Sequence, residues 1–229
     1  MIRVGTFLRG IAAIGILSAS LYVGPVSAAS NSGKEASVSR LQMPGERTRK
    51  RPQISLDAIR ALGIIMRTEN QEDPTYLEFR RVVSNGVATR LNLDPTQLDR
   101  AWSRAPRDHQ IAVLSALTQL NVRYITGKED SYVKMDCSGL MWFAWRTAGV
   151  DMPRQAVSQL DRRMRVERKD AIAGDITGEG THVQMYLGTG LAMIHAPFGG
   201  KIVKFKIMSE EQAARVVWTN PSKIATYRL

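Results

Sequence analysis

The sequence predicts an α+β fold, with a helical first half and mostly antiparallel strands in the second. Two observations carry this. Up to Leu120, apolar residues recur at helical spacing and helix start signals repeat. After Asn121, short β-prone pieces alternate with Gly-rich turns to the end. Helices followed by strands, with no internal repeat, give the α+β order. Size agrees: 229 residues at 44% hydrophobic suffice for one packed domain with an appendage and are too few for two large ones.

Taken in order, Arg3 and Arg9 flank and precede an apolar run from Gly10 to Val23, and Val26, Ser27 and Ala28 supply a small-residue cleavage site. This is the plan of a secretory signal peptide over residues 1–28. The run is about 14 residues, short of the ~20 a membrane span needs. Residues 29–54 carry Pro44, Pro52 and the run Arg47, Thr48, Arg49, Lys50, Arg51, and read as a basic flexible linker, either solvated or touching wall polymers.

Residues 55–107 read as a helical segment. Ser55 is placed to cap a helix carrying Ile59, Leu62, Ile65 and Met66. Asp73-Pro74 and Asp94-Pro95 each supply a cap followed by a proline in the first turn, and Asn85-Gly86 is a stop between them. Such short helices bury little alone, so they should pack on the domain that follows. The segment 55–105 is expected to regulate access to the cleft of that domain. Asp108 is expected to cap the next helix, with Ile111, Leu114, Leu117 and Leu120 toward a core. Strands are expected at 184–187, 193–196, 202–207, 216–219 and 224–227.

Charge bounds the function. Lys and Arg number 32 against 21 Asp and Glu, a net +11. Removing residues 1–28 takes away two of those basic residues and no acid, leaving 30 against 21, or +9. The balance admits nucleic acid, membrane surfaces or an anionic cell wall as partner. Export argues against nucleic acid, and no basic stretch is interleaved with stacking aromatics. A single cysteine excludes an intramolecular disulfide and multi-thiolate zinc sites. No metal site and no organic cofactor is indicated.

That cysteine carries the chemistry. From Ser138 to Ala148, the residues Leu140, Met141, Ala144, Trp145 and Ala148 make one helical stripe, and Gly149 stops it. Cys137 therefore heads a buried helix, where unpaired N–H groups should lower its pKa. A thiol nucleophile needs a base. His109 is expected to be exposed. His182, Gln184 and Tyr186 share one face of a strand, Val183, Met185 and Leu187 the other. A two-residue turn at Thr189-Gly190 pairs Gly188 with Leu191 and sets His195 opposite Gln184, a diagonal step from His182. The workable arrangement is Cys137 as nucleophile, His182 as base and His195 as orienting member. On spacing alone, Cys137 also reads as a small buried residue and His195 as a satisfied strand histidine.

The run Asp136-Cys137-Ser138-Gly139-Leu140, then Ala148-Gly149, Pro153-Arg154 and Gln159, resembles the NlpC family of bacterial cell-wall cysteine peptidases. Ala173-Gly174-Asp175, His182-Val183 with Tyr186-Leu187-Gly188, and Ile194-His195-Ala196-Pro197 continue the resemblance in order, and Tyr124 with Gly127 precedes it. It covers roughly residues 108–229. The resemblance implies a papain-like fold, an antiparallel sheet packed on helices with the nucleophile at a helix N-terminus. It implies cleavage of peptidoglycan stem peptides, most often between D-glutamate and the diamino acid. It makes Cys137 the nucleophile, His182 the general base and His195 the third member. Tyr124 would lie beside the nucleophile, and Asp136, Ser138 and Arg154 would border the subsite for the stem peptide's amino end. A monomer, without nucleic-acid partner or membrane insertion after signal cleavage, is expected in the cell wall or periplasm.

The chain departs from the family pattern in places. Gln184 stands where the family usually has glycine, on the histidine face, and would contact substrate or narrow the cleft. Gln155-Ala156, Lys128 and Ile176-Thr177-Gly178 also differ, and the two histidines are one residue further apart than is common, which calls for an adjusted turn. An occluded, non-catalytic wall-binding module, or an amidase or acyltransferase on the same triad, are the alternative readings. The basic stretch Arg162, Arg163, Arg165, Arg168, Lys169 reads first as a solvated loop.

Overall fold

Four helices come first: α1 (Gln53–Arg67), α2 (Pro74–Leu91), α3 (Pro95–Arg104) and α4 (Arg107–Thr118). The computed structural model describes residues 50–68 and 70–225. The expected signal peptide and most of the linker, residues 1–49, lie outside them.

Both Asp-Pro starts hold. Asp73 accepts from the Tyr76 amide at 2.9 Å, and Asp94 from the Thr96 and Gln97 amides at 2.8 and 3.1 Å. Each cap contributes about 1 kcal/mol. Three other expected signals are overruled by packing. Ser55 lies inside α1, and its hydroxyl donates to the Leu117 carbonyl at 2.8 Å, joining α1 to α4. Asn85-Gly86 does not stop α2, because buried Val83, Val87 and Ala88 flank it and Gly86 admits Ile54 closely. A Cβ at Gly86 would lie 3.1 Å from Ile54 Cγ1. That burial outweighs the roughly 1 kcal/mol that glycine costs a helix. Asp108 does not cap α4, whose capping position is Pro106. Every residue of α4 from His109 to Thr118 is buried between α1 and α5 (Cys137–Thr147).

A small sheet leads into α5. Strands β1 (Arg123–Tyr124), β3 (Lys134–Met135) and β2 (Glu129–Asp130) lie in the order β1-β3-β2, with β1 parallel to β3. After α5 come α6 (Ala156–Gln159) and a five-stranded antiparallel sheet: β4 (Ile176–Glu179), β5 (His182–Tyr186), β6 (Ala192–His195), β7 (Lys204–Ile207) and β8 (Val217–Thr219), ordered β7-β6-β5-β4-β8. Helix α7 (Glu210–Arg215) precedes β8 and α8 (Ser222–Ala225) follows it. Strand β4 was not expected. Its Gly178 has room for no side chain, since a Cβ would meet the His182 carbonyl at 2.3 Å. The strand expected from 224 is helix α8 as far as Ala225, and residues 226–229 lie outside the description. Ile202 makes an isolated bridge to Arg123 rather than joining β7.

The β5–β6 register is the expected one, with Met185 opposite Ile194 and Tyr186 opposite Met193. The turn is adjusted as the histidine spacing requires: Gly188, Gly190 and Leu191 all take positive φ. One face of the hairpin, Val183, Met185, Leu187, Ala192 and Ile194, joins the main core with Leu140, Met141 and Trp145 of α5. The opposite face puts Met193 with Met208, Ala213 and Trp218, and Tyr186 packs against them.

The first four helices share that main core through Ala58, Ile65, Tyr76, Val83, Leu98, Trp102 and Leu114. Trp102 Nε1 donates to the Leu187 carbonyl at 2.7 Å, at the opposite end of β5 from His182. Residues 55–105 are therefore built into the seat of the hairpin. The expected role as a cover over the cleft finds no support in these ties.

Candidate active site

Cys137 is the first residue of α5. Asp136, in extended backbone, caps the helix by accepting from the Gly139 amide at 2.6 Å. Gly139 is needed for close approach, because a Cβ there would sit 2.4 Å from the Lys128 carbonyl. The same Asp136 carboxylate accepts from the Gly127 amide at 2.7 Å and from Arg154 Nη1 and Nη2, both at 3.0 Å. Arg154 also donates to Ser138 Oγ at 2.9 Å and to Glu129 Oε2 at 2.9 Å. Asp136, Ser138 and Arg154 are thus brought together, as the sequence suggested, but are largely satisfied by one another. Burial would raise the Asp136 carboxyl, yet Arg154 and the Gly139 amide hold it below its ordinary range.

The thiol differs from expectation. Cys137 is 6% exposed, and its Sγ donates to the Thr181 carbonyl at 3.5 Å, one residue before His182. No hydrogen bond joins it to His182 among the described residues. Burial pushes the thiol up, the Val183 amide opposes this, and the Asp136 charge adds to the rise. The helix N-terminus alone therefore does not set this thiol: desolvation wins over the dipole.

The histidines meet as the register requires. His182 Nε2 lies 3.3 Å from His195 Nδ1, with the rings edge to face. Burial and then Lys206 lower the His182 pKa. His195 is pushed down to about 3 by burial, by His182 and by Lys206, Lys204 and Lys201. At neutral pH both imidazoles are uncharged. Gln184 is on their face but 3% exposed, so it lies beneath the surface rather than along an open wall. Its Nε2 reaches Met208 Sδ at 3.3 Å. Tyr124, in β1, is 8% exposed and packs edge-on against Phe198 at 5.7 Å. Its register partner Met135 is two residues before Cys137.

His109 was misjudged from the sequence. It is 1% exposed, with Nδ1 at 2.9 Å from Asp108 and Nε2 at 3.2 Å from Asp175, and Ser222 Oγ donates to Asp108. The available signal was α4 itself, apolar on nearly every face after His109, which marks a buried helix. The basic stretch behaves as a solvated loop: Arg163 pairs with Asp161, Lys169 with Glu167 and Arg168 with Glu210. Among the described residues, no group of three or more His, Cys, Asp or Glu is placed to hold a metal ion. No described helix is long and apolar enough to cross a membrane.

Part of the chain is similar in sequence to known proteins. Residues 121–220 match the sequence model of the NlpC/P60 family. The bifunctional muramidase/DL-endopeptidase CwlT of Bacillus subtilis (strain 168) is 27% identical over 154 residues, which is 64% of this chain and 44% of CwlT. The chain thus spans less than half the length of that relative. Among solved structures, NlpC1 from Trichomonas vaginalis is 30% identical over 49% of this chain and 45% of its own, with a TM-score of 0.42. RipD from Mycobacterium tuberculosis, described as a non-catalytic NlpC/p60 domain protein, is 21% identical over 51% of this chain and 98% of its own, with a TM-score of 0.41. The stretch similar to the NlpC/P60 family, residues 121–220, holds the cysteine and both strand histidines.

Proposed function

We propose that the protein is an exported cysteine endopeptidase of peptidoglycan, cutting stem peptides at the bond between D-glutamate and the diamino acid. The observation that carries the reading is Cys137 at the head of α5 against the start of β5, where His182 Nε2 meets His195 Nδ1. The DL-endopeptidase activity in the name of CwlT supports the choice of bond.

His182 contacts His195 through Nε2, so Nδ1 is its nitrogen free to act as base. In the resting state the thiol and the imidazole are both neutral. Proton transfer then accompanies attack rather than preceding it. Sγ adds to the amide carbonyl as His182 takes the thiol proton. Amide N–H groups at the head of α5 face the developing oxyanion. The C–N bond breaks and His182 passes the proton to the leaving amine. Water adds to the thioester, the new carboxyl end leaves, and the thiol regains its proton.

One observation favours a second reading. The thiol is hydrogen-bonded to a carbonyl and pushed up by burial, which suits a pocket that binds the stem peptide without turnover. Digestion of purified peptidoglycan with wild type and Cys137→Ala separates the two. The endopeptidase gives new fragments by mass spectrometry, ending at D-glutamate, in the wild-type digest alone. Sedimentation with sacculi and an unchanged digest would establish the binding module instead. Fragments released at a different bond would mark an amidase or acyltransferase.

A further inference from the structure

We propose that Gln184 is a positioning residue: its amide oxygen accepts the His195 Nε2–H and so holds both imidazoles in the tautomers that leave His182 Nδ1 free as base. This rests on the reading of Cys137, His182 and His195 as a catalytic set.

The contact between His182 Nε2 and His195 Nδ1 holds one proton. With that proton on His195 Nδ1, neutral His182 must carry its own on Nδ1, and it cannot then accept from the thiol. With the proton on His182 Nε2, His195 Nδ1 accepts and the one proton of neutral His195 sits on Nε2. That nitrogen is buried and lacks a partner. Buried donors without acceptors are rare and destabilising. The matching acceptor is Gln184 Oε1, also buried and also lacking a partner. His195 is 6% exposed and Gln184 3%.

Position brings these two residues side by side. The register that sets Met185 opposite Ile194, carried one residue further, sets Gln184 level with His195 on the same face. The Gln184 amide is held through Nε2 by Met208 Sδ, and a thioether is a weak acceptor. The amide can therefore turn toward His195 at little cost, or reach it through one bridging water. Although Glu179 stands opposite His182 in the register, among the described residues no carboxylate is hydrogen-bonded to the imidazole pair to set its tautomers. A neutral amide does so without adding charge.

The test uses full-length protein labelled with 15N-histidine. Long-range proton–nitrogen spectra at neutral pH report which ring nitrogen carries the proton. Three histidines are present, and single His→Gln variants assign them. In wild type, His182 and His195 are both expected as Nε2–H. In Gln184→Met, of nearly the same length, the His195 signal should redistribute between tautomers. Its kcat on peptidoglycan should fall roughly tenfold with KM within about twofold. Gln184→Glu restores an acceptor and should recover the Nε2–H form and most of kcat. Gln184→Leu, checked for folding by its melting curve, repeats the loss. His195 found as Nδ1–H in wild type, or unchanged tautomers in the Met and Leu variants, would overturn the proposal. If wild-type protein with the expected tautomers releases no fragments, the hydrolase reading fails while the Gln184–His195 pairing stands.

Discussion

Two buried histidine clusters sit in one chain and are built in opposite ways. His109 lies between Asp108 and Asp175, and the two carboxylates raise its pKa against the pull of burial. His182 and His195 have each other and nearby lysines, and both are pushed down; Glu179 stands opposite His182 in the register, yet among the described residues no carboxylate is hydrogen-bonded to either ring. The first cluster favours a fixed charge: it joins α4 to the loop before β4 and, through Ser222, to α8. The second keeps its imidazoles neutral. Burial lowers an imidazole in both places, so the carboxylates bonded to His109 account for the opposite directions of the two clusters.

The largest expected effects come from exchanging the same residue type at the two sites. His182→Gln should lower kcat by roughly 10²–10⁴ and leave the melting temperature nearly unchanged. His109→Gln should leave kcat close to wild type. It strands Asp175, which is fully buried, and should cost about 3 kcal/mol, or roughly 6–12 °C in melting temperature. Equal losses of activity in the two variants would dissolve the distinction.

The next effect is a pH signature. His109 has a raised folded pKa, so its contribution is fully present below the ordinary histidine value and is lost as pH rises through the folded one. Asp108 is lowered to about 2, so its contribution is present above the ordinary aspartate value and is lost as pH falls through about 2. His195, depressed to about 3, acts oppositely to His109: its contribution is present above the ordinary histidine value and is lost as pH falls toward 3. Melting curves from pH 4 to 9 should show that His109→Gln removes part of the alkaline loss, and that His195→Gln removes part of the acid loss.

A smaller effect concerns the thiol. Iodoacetamide should alkylate Cys137 appreciably only toward alkaline pH, because burial raises it. Rapid alkylation at pH 5 would reveal a thiolate–imidazolium pair and reverse the mechanism's proton order. Smallest is Trp102→Phe, which removes the bond to the Leu187 carbonyl and should cost about 1 kcal/mol, read from denaturant unfolding.

The hairpin register was legible because turn chemistry and side-chain alternation are local, and two strands of a few residues leave little choice. The same holds for Asp73-Pro74 and Asp94-Pro95, whose caps act within three residues. Ser55 and Asn85-Gly86 misled because their fate depends on Leu117 and Ile54, distant in sequence. His109 was hidden for the same reason, since its partner Asp175 lies 66 residues away. The thiol was misjudged because the helix end is visible in the sequence and the depth of burial is not.

The shared core separates ancestry from folding. The stretch that matches the family begins at residue 121, whereas the apolar interior that supports its hairpin begins with Ala58. Leu98 and Trp102 of α3 fill places in that interior, so a chain trimmed to the family's boundaries would lose them and expose the greasy socket they fill. The stretch that matches the family and the cooperative unit that must melt as a whole have different edges. Transplanting this site into another protein therefore means carrying α1–α4 along with it.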